Sequence, residues 1–275
     1  METEAGGGRG ASQARRHAGN ERAHALSSRD GPLLELVRVA KRFGALVVAD
    51  EISLALYPNE ALGIIGPNGA GKSTLFDLIT GELEPDSGHI LLGSTDILGL
   101  PTFLRCRLGI ARARQIPRPF ADMTVFENLL VGARFGGGLG DSAAQDRCAG
   151  LLRLTGLDRK ADSRAGALTL LERKRLELAR ALATGPRVLL LDEVAGGLTE
   201  RESAALAETI QTIRGPELAI IWVEHVLHAL RPVITRLMVL NFGAKLADGE
   251  PGRVMADPRV REAYLGLGGG SSLHA

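Results

Sequence analysis

The sequence predicts an α/β fold, with a sheet of buried strands, an antiparallel β-layer beside it and a helical, turn-rich stretch between. Three observations predict it. First, EALGII (60–65) reads as a short strand running into the glycine-rich loop GPNGAGKST (66–74). Leu75, Phe76, Leu78 and Ile79 then recur at helical spacing until Gly81 closes the helix. Second, RVLLLDE (187–193) and AIIWV (219–223) are apolar runs of strand length, the first closing on two acids and the second followed by Glu224-His225. Third, LLELVRVAKRF (33–43) alternates like a strand, and EISLAL (51–56) and GHILL (88–92) are further strands that complete an antiparallel layer flanking the loop.

The loop carries the chemistry. Gly66, Gly71, Lys72 and Ser73 occupy the fixed positions of G-x-x-x-x-G-K-[ST], with Pro67, Asn68, Gly69, Ala70 and Thr74 completing the stretch. Glycine lets the backbone turn tightly enough to aim its N–H groups at phosphate oxygens. Lys72 offers a point charge to the β- and γ-phosphates, and the Ser73 hydroxyl is placed to ligate Mg²⁺. The helix that starts here directs its positive end at the same anion. Nucleotide phosphate binding is the reading that explains all of these at once.

Length and composition set the bounds. A chain of 275 residues with 45% apolar content supports one globular unit with one or two subdomains. The formal charge of +1 argues against nucleic acid as a bulk electrostatic partner. Cys106 and Cys148 are the only cysteines, too few for a disulfide framework or a zinc site, which points to a reducing cytoplasm. No apolar run approaches the ~20 residues of a membrane span. Arg15-Arg16 is not followed by the apolar stretch that an export signal needs. Residues 1–31 are rich in Gly, Ala, Arg and Ser and read as a disordered tail, and 267–275 as a flexible one.

Within the ordered span, 32–266, the remaining elements follow in order. Phe43 falls at the end of the first strand, where a lone ring serves either core packing or stacking on a ligand. From about 95 to 165 the texture is helical and turn-rich, and GIARARQIPRPF (109–120) precedes the first clear helix. Gln115 lies there on a Pro-flanked loop, a place suited to sensing Mg²⁺ or an attacking water. Thr124 and Glu127 have capping-box spacing for VFENLLVGARF. Residues 168–182 form a helix with Leu176, Ala179 and Leu182 as its apolar stripe. In VLLLDE the strand ends where Asp192 would hold Mg²⁺ through its water shell and Glu193 would accept a proton from attacking water. Thr199 and Glu202 cap the next helix, with Leu206, Ile210 and Ile213 on one face. His225 lies after a strand's carboxyl end, where α/β sheets keep their chemistry, although a lone His is more often structural. LMVLN and AKLAD add two short strands.

KRFGAL with Phe43, GPNGAGKST, Gln115, a helix start at 168–172, VLLLDE and His225, in this order, resemble the nucleotide-binding subunits of ATP-binding cassette (ABC) transporters across residues 33–266. TLFDLITGELEPDSG, GIARARQIPRPFADMTVFENLLVGA and ADPRVREAYLG are similar to the ATP-binding proteins of branched-chain amino acid importers. The resemblance implies a P-loop NTPase of the ABC cassette type, with a RecA-like parallel-sheet core, an antiparallel β-subdomain and an α-helical subdomain over about 95–183. It implies ATP and Mg²⁺ as cofactors. Phe43 would stack on adenine, Gln115 would couple the γ-phosphate to a permease-facing lobe, and His225 would contact the γ-phosphate.

It further implies a head-to-tail pair of ATP-binding subunits, homomeric or heteromeric, docked on transmembrane permeases at the cytoplasmic face of the membrane, with an external binding protein as an indirect partner. One departure stands out. The family signature L-S-G-G-Q is Leu168, Thr169, Leu170, Leu171 and Glu172 here. Leu171 replaces the glycine whose backbone approaches the partner's γ-phosphate, and its isobutyl group is expected to crowd that approach. Val194 and Thr199 are further departures. Either the chain pairs with a different subunit to make one ordinary and one degenerate site, or Thr169 and the helix end suffice in a drifted subfamily. The implied function is an ATPase motor for import of amino acids or small amides. A nucleotide-dependent dimerising module with little hydrolysis is the alternative, and a soluble ABC ATPase of DNA repair or translation a third reading.

Overall fold

Two sheets organise the chain in this computed structural model, which describes residues 31–225 and 227–265. The tails read at 1–31 and 267–275 lie outside the described residues, apart from Gly31. The first sheet is four-stranded and antiparallel, in the order β2-β1-β4-β5, from β1 (Leu34–Phe43), β2 (Leu46–Leu56), β4 (Ser87–Leu92) and β5 (Thr95–Asp96). The second strand starts earlier than EISLAL, at Leu46, which pairs with Phe43 across a tight turn at Gly44, whose φ is +59°.

The second sheet has six strands, ordered β10-β9-β3-β8-β7-β6. They are β3 (Ala61–Ile65), β6 (Ile110–Ala113), β7 (Val188–Asp192), β8 (Ala219–Val223), β9 (Arg236–Asn241) and β10 (Ala244–Gly249). Every pairing is parallel except β9 with β10. Strands β3, β7 and β8 are buried along their whole length, which is why they read as unbroken apolar runs.

Strand β6 corrects the sequence reading of 95–165 as helical and turn-rich. IARA is an edge strand on β7, and a short helix, α2 (Thr102–Arg107), precedes it. The first helix, α1 (Lys72–Thr80), ends at Gly81 with φ +76°. The buried Arg105 of α2 donates to the carbonyls of Leu78 and Ile79 at that end, a cation where the helix dipole favours one. A Cβ on Gly81 would lie 2.6 Å from Arg105 Nε, so glycine is required twice over.

The helices α3 (Val125–Val131), α4 (Asp141–Leu154) and α5 (Leu170–Ala183) close over their own apolar cluster, with Val125, Leu129, Cys148, Leu152 and Leu176 at its centre. One face of the parallel sheet packs with α1 and the antiparallel sheet. The other packs with α5, α6 (Glu200–Ile213), α7 (Leu227–Leu230) and α8 (Pro251–Ala256), the last leading into α9 (Pro258–Leu265). Helices α3, α5 and α6 each start with a reciprocal Thr–Glu capping box, at Thr124–Glu127, Thr169–Glu172 and Thr199–Glu202.

Candidate functional site

Four adjacent parallel strands deliver the candidate residues from their carboxyl ends. β3 leads into Gly66–Thr74, β7 ends at Asp192, β8 is followed by Glu224-His225, and β6 is followed by Arg114-Gln115. This is the edge of an open α/β sheet at which ligands bind.

Steric limits fix the loop's glycines. A Cβ on Gly66 would lie 2.2 Å from the Leu240 carbonyl oxygen, and one on Gly71, at φ +98°, would lie 2.3 Å from that of Val48. The loop is further tied to the β9–β10 turn, where Gly243 N–H donates to the Ala70 oxygen at 3.1 Å. Gly71 caps α1 without any side-chain hydrogen bond, and no acid stands in the helix's first turn. The N–H groups of this end are therefore left for an external anion. Lys72 donates to the loop's own Gly66 and Pro67 carbonyls at 2.8 and 3.0 Å, which holds its ammonium across the loop mouth. Burial pushes its pKa down, against the charges of Glu193 and Asp192. Ser73 is exposed, as are Asn68 and Gly69.

Glu193 adopts a left-handed backbone, φ +45°, directly after β7. That conformation costs about 1–2 kcal/mol for a non-glycine residue, and it turns the side chain out of the strand's line. Gln115 Nε2 donates to Glu193 Oε2 at 2.8 Å, and His225 Nδ1 lies 3.7 Å from the same oxygen. Two of the predicted residues thus converge on the carboxylate of a third. Asp192 is almost fully buried, and its Oδ2 accepts from Arg112 Nη2 at 2.5 Å. Phe43 is 52% exposed, which removes the core-packing alternative, and Lys41 Nζ lies 5.8 Å from its ring centre.

Several residues of this site escaped the sequence reading. Arg112 bridges Asp77 of α1 and Asp192 of β7. Lys174, buried on α5, donates to the Gln115 carbonyl and so ties that helix to the loop after β6. Glu224 is fully buried, and its Oε1 accepts from Ala195 N–H at 2.7 Å and from Trp222 Nε1 at 3.3 Å. Burial raises its pKa in spite of those bonds. For Glu224 the available signal was an acid beside His225 after a buried strand; Arg112 and Lys174 lie among other basic residues and carried no such signal.

The four remaining predicted residues, Thr169–Glu172, form the start of α5 and stand apart from the Glu193 cluster. Thr169 N–H donates to Glu172 Oε2 at 2.9 Å, the Thr169 hydroxyl shares that oxygen at 3.1 Å, and Lys160 Nζ lies 3.6 Å from Oε1. Leu171 packs against the cluster containing Leu178, Val194 and Ala195. Leu170 is the projecting side chain, 45% exposed, and its Cδ2 would lie 3.5 Å from a Cβ built on Gly197. Leu171 is half-buried against that core, so the apolar side chain that this helix start turns to solvent is Leu170.

Comparison with known proteins gives a consistent picture. The family described as "ABC transporter" matches residues 49–196. That described as "Branched-chain amino acid ATP-binding cassette transporter" matches residues 244–268. The high-affinity branched-chain amino acid transport ATP-binding protein LivG of Escherichia coli (strain K12) is 38% identical over 250 residues, 86% of this chain and 98% of LivG. Its counterpart BraF of Pseudomonas aeruginosa is 35% identical over 250 residues, with the same shares covered. Among solved structures, the ADP conformation of an ATP-binding cassette of an ABC transporter matches with a TM-score of 0.78 and 28% identity, covering 86% of this chain and 99% of that one.

Proposed function

The chain belongs to the ATP-binding subunits of the ABC transporter family, and from that premise we propose that it drives import of branched-chain or related amino acids or small amides. It is an ATPase subunit of a transporter, with the α/β cassette fold expected from its sequence. The importer class is supported by the match over residues 244–268 and by the printed functions of the relatives. The dimerising module with little hydrolysis is not favoured, since relatives matched over nearly their whole length are transport ATP-binding proteins.

One observation carries the hydrolytic reading: Glu193 is held by Gln115 and faces His225 beside an uncapped helix end. In this reading the loop N–H groups and Lys72 hold the ATP phosphates, and the exposed ring of Phe43 takes the adenine. Glu193 accepts the proton of the attacking water, Gln115 orients it, and the His225 imidazole contacts the γ-phosphate. The Ser73 hydroxyl and the Asp192 carboxylate are hard oxygen donors of the kind Mg²⁺ takes alongside phosphate, so the residues fit that ion. When bound, Mg²⁺ supplies charge neutralisation at the β- and γ-phosphates.

The partners in this reading are two membrane permeases and a second ATP-binding subunit, with a substrate-binding protein outside the membrane acting indirectly. Among the described residues no helix is long and apolar enough to cross a membrane. Attachment at the cytoplasmic face would then come through the permeases. Helices 125–183, with their separate core, would be the permease-facing lobe, and the self-closed start of α5 favours pairing with a different ATP-binding subunit.

The test is Mg²⁺-dependent ATP turnover of the transporter complex beside Glu193→Gln. Turnover should fall by about 100-fold or more while ATP binding persists, as for loss of a general base. Undiminished turnover in the variant would remove Glu193 from that role.

A further inference from the structure

Arg112 is a guanidinium in an unusual place. It sits on the edge strand β6 with its side chain only 8% exposed, and its Cζ lies 5.5 Å from the centre of the Phe76 ring. One arm donates to Asp77 Oδ1 of α1 at 2.6 Å and the other to Asp192 Oδ2 of β7 at 2.5 Å, while Glu82 lies 3.7 Å away. Its Nε is buried without a partner. Burying a guanidinium is costly unless both its charge and its donors are matched. Here two carboxylates match it, one at each arm.

The arrangement has a direction. Asp192 has two carboxylate oxygens, and Arg112 occupies Oδ2. Among the described residues no hydrogen bond engages Oδ1, and it is not one of the buried atoms lacking a partner. The bond therefore anchors the carboxylate through one oxygen and leaves the other open. A lone arginine there would also cancel the charge that attracts a cation. Asp77, on the helix that follows the phosphate loop, offsets that: the triad Asp77–Arg112–Asp192 carries a net charge of −1.

We propose that Arg112 is a positioning residue for Mg²⁺, clamping Asp192 to the phosphate-loop helix so that its free oxygen faces the bound ion, with Asp77 as the counter-charge that keeps Asp192 attractive to it. This rests on the assignment of Asp192 to Mg²⁺ given above. It gives a role to an arginine that the sequence presents as one more basic residue in IARARQ.

The experiment is a Mg²⁺ titration of fluorescent ATP-analogue binding to the full chain, with a parallel measurement in EDTA and a melting curve without nucleotide. Wild type should bind the analogue in EDTA and bind it more tightly as Mg²⁺ is added. Failure of that control would count against the ATP reading itself, not against Arg112. Arg112→Gln should raise the Mg²⁺ concentration for half-effect by about 5–10-fold, with affinity in EDTA changed less than about 2-fold. Arg112→Lys, which keeps the charge but not the two-armed fork, should recover only part of the shift. Asp77→Asn, at a position with a 35% exposed side chain, tests the counter-charge without emptying a buried site and should also raise the requirement. A lower Mg²⁺ requirement in Arg112→Gln would overturn the proposal by making Arg112 a competitor of the ion. An unchanged requirement with a lowered melting temperature would overturn it by making Arg112 structural only.

Discussion

The first turns of α1 and α5 are both helix starts in regions expected to meet phosphate, and they are built in opposite ways. At α1 the cap is Gly71 in a left-handed conformation, with no side-chain bond and no acid in the first turn. At α5 the cap is Thr169, closed reciprocally with Glu172 and lined by Leu170. A helix N-terminus attracts an anion through its free N–H groups and its dipole. The first end keeps both for a ligand. The second spends two of its donors on its own capping box and places a carboxylate where an anion would come. The capping boxes of α3 and α6 have the same design, so the start of α5 resembles those of structural helices more than that of α1.

The sharpest way to break the contrast is to close the open end. Gly71→Ala adds a Cβ 2.3 Å from the Val48 oxygen at φ +98°, so the loop must shift to accept it. ATP affinity measured by calorimetry is expected to fall by about 100-fold, or roughly 3 kcal/mol. Near-normal affinity would mean that the open end does not depend on this backbone shape.

Opening the closed end should have a smaller effect of the opposite sign. In the assembled transporter, Leu170→Gly combined with Glu172→Gln removes the projecting side chain and the carboxylate together. Turnover is expected to rise by about 3–10-fold, well below the roughly 100–1,000-fold that one preorganised donor can contribute. Leu171→Gly provides the contrast: position 171 packs on the core, so the expected outcome is about 1–3 kcal/mol lost from stability, read by denaturant unfolding, with no gain in turnover. Higher turnover from Leu171→Gly than from the Leu170–Glu172 pair would return the crowding to Leu171.

The open end was legible in the sequence because its chemistry is local: GPNGAGKST states the loop, the glycines and the helix in one run. The buried strands were legible for a related reason, since burial on both faces leaves uninterrupted apolar runs such as VLLL and AIIWV. Strand β6 was not. Ile110–Ala113 is four residues of Ile, Ala, Arg and Ala, good helix formers apart from Ile, and only pairing with the distant β7 makes it a strand. Arg112 was missed with it, because its two carboxylate partners come from α1 and β7. The closed end is a different kind of miss. Thr169 and Glu172 have the same T-x-x-E spacing that identified the caps at Thr124 and Thr199, but resemblance to a family signature drew attention to Leu171 instead.

The closure of α5 also carries a pH signature that the open end lacks. The backbone bond from Thr169 leads the causes that hold the Glu172 carboxyl below its usual range, against a smaller opposing effect of burial. A carboxylate whose folded pKa is depressed contributes stability above its unfolded value, and loses it as pH falls through the folded one. An acid at this position is worth about 0.3–1 kcal/mol, or roughly 1–4 °C in melting temperature for a chain of this size. The melting temperature of wild type should therefore exceed that of Glu172→Gln by this amount at neutral pH, and the gap should close as the pH drops from about 5 towards 3. Subtracting the two curves removes every other acid from the comparison. Glu127→Gln and Glu202→Gln should behave in the same way, because backbone bonds from Thr124 and Thr199 depress those carboxyls too. At the start of α1 no acid titrates, so no such gap can arise there. A gap at Glu172 that persisted in acid, unlike those at the other two caps, would mean that its carboxylate does more than close its own helix.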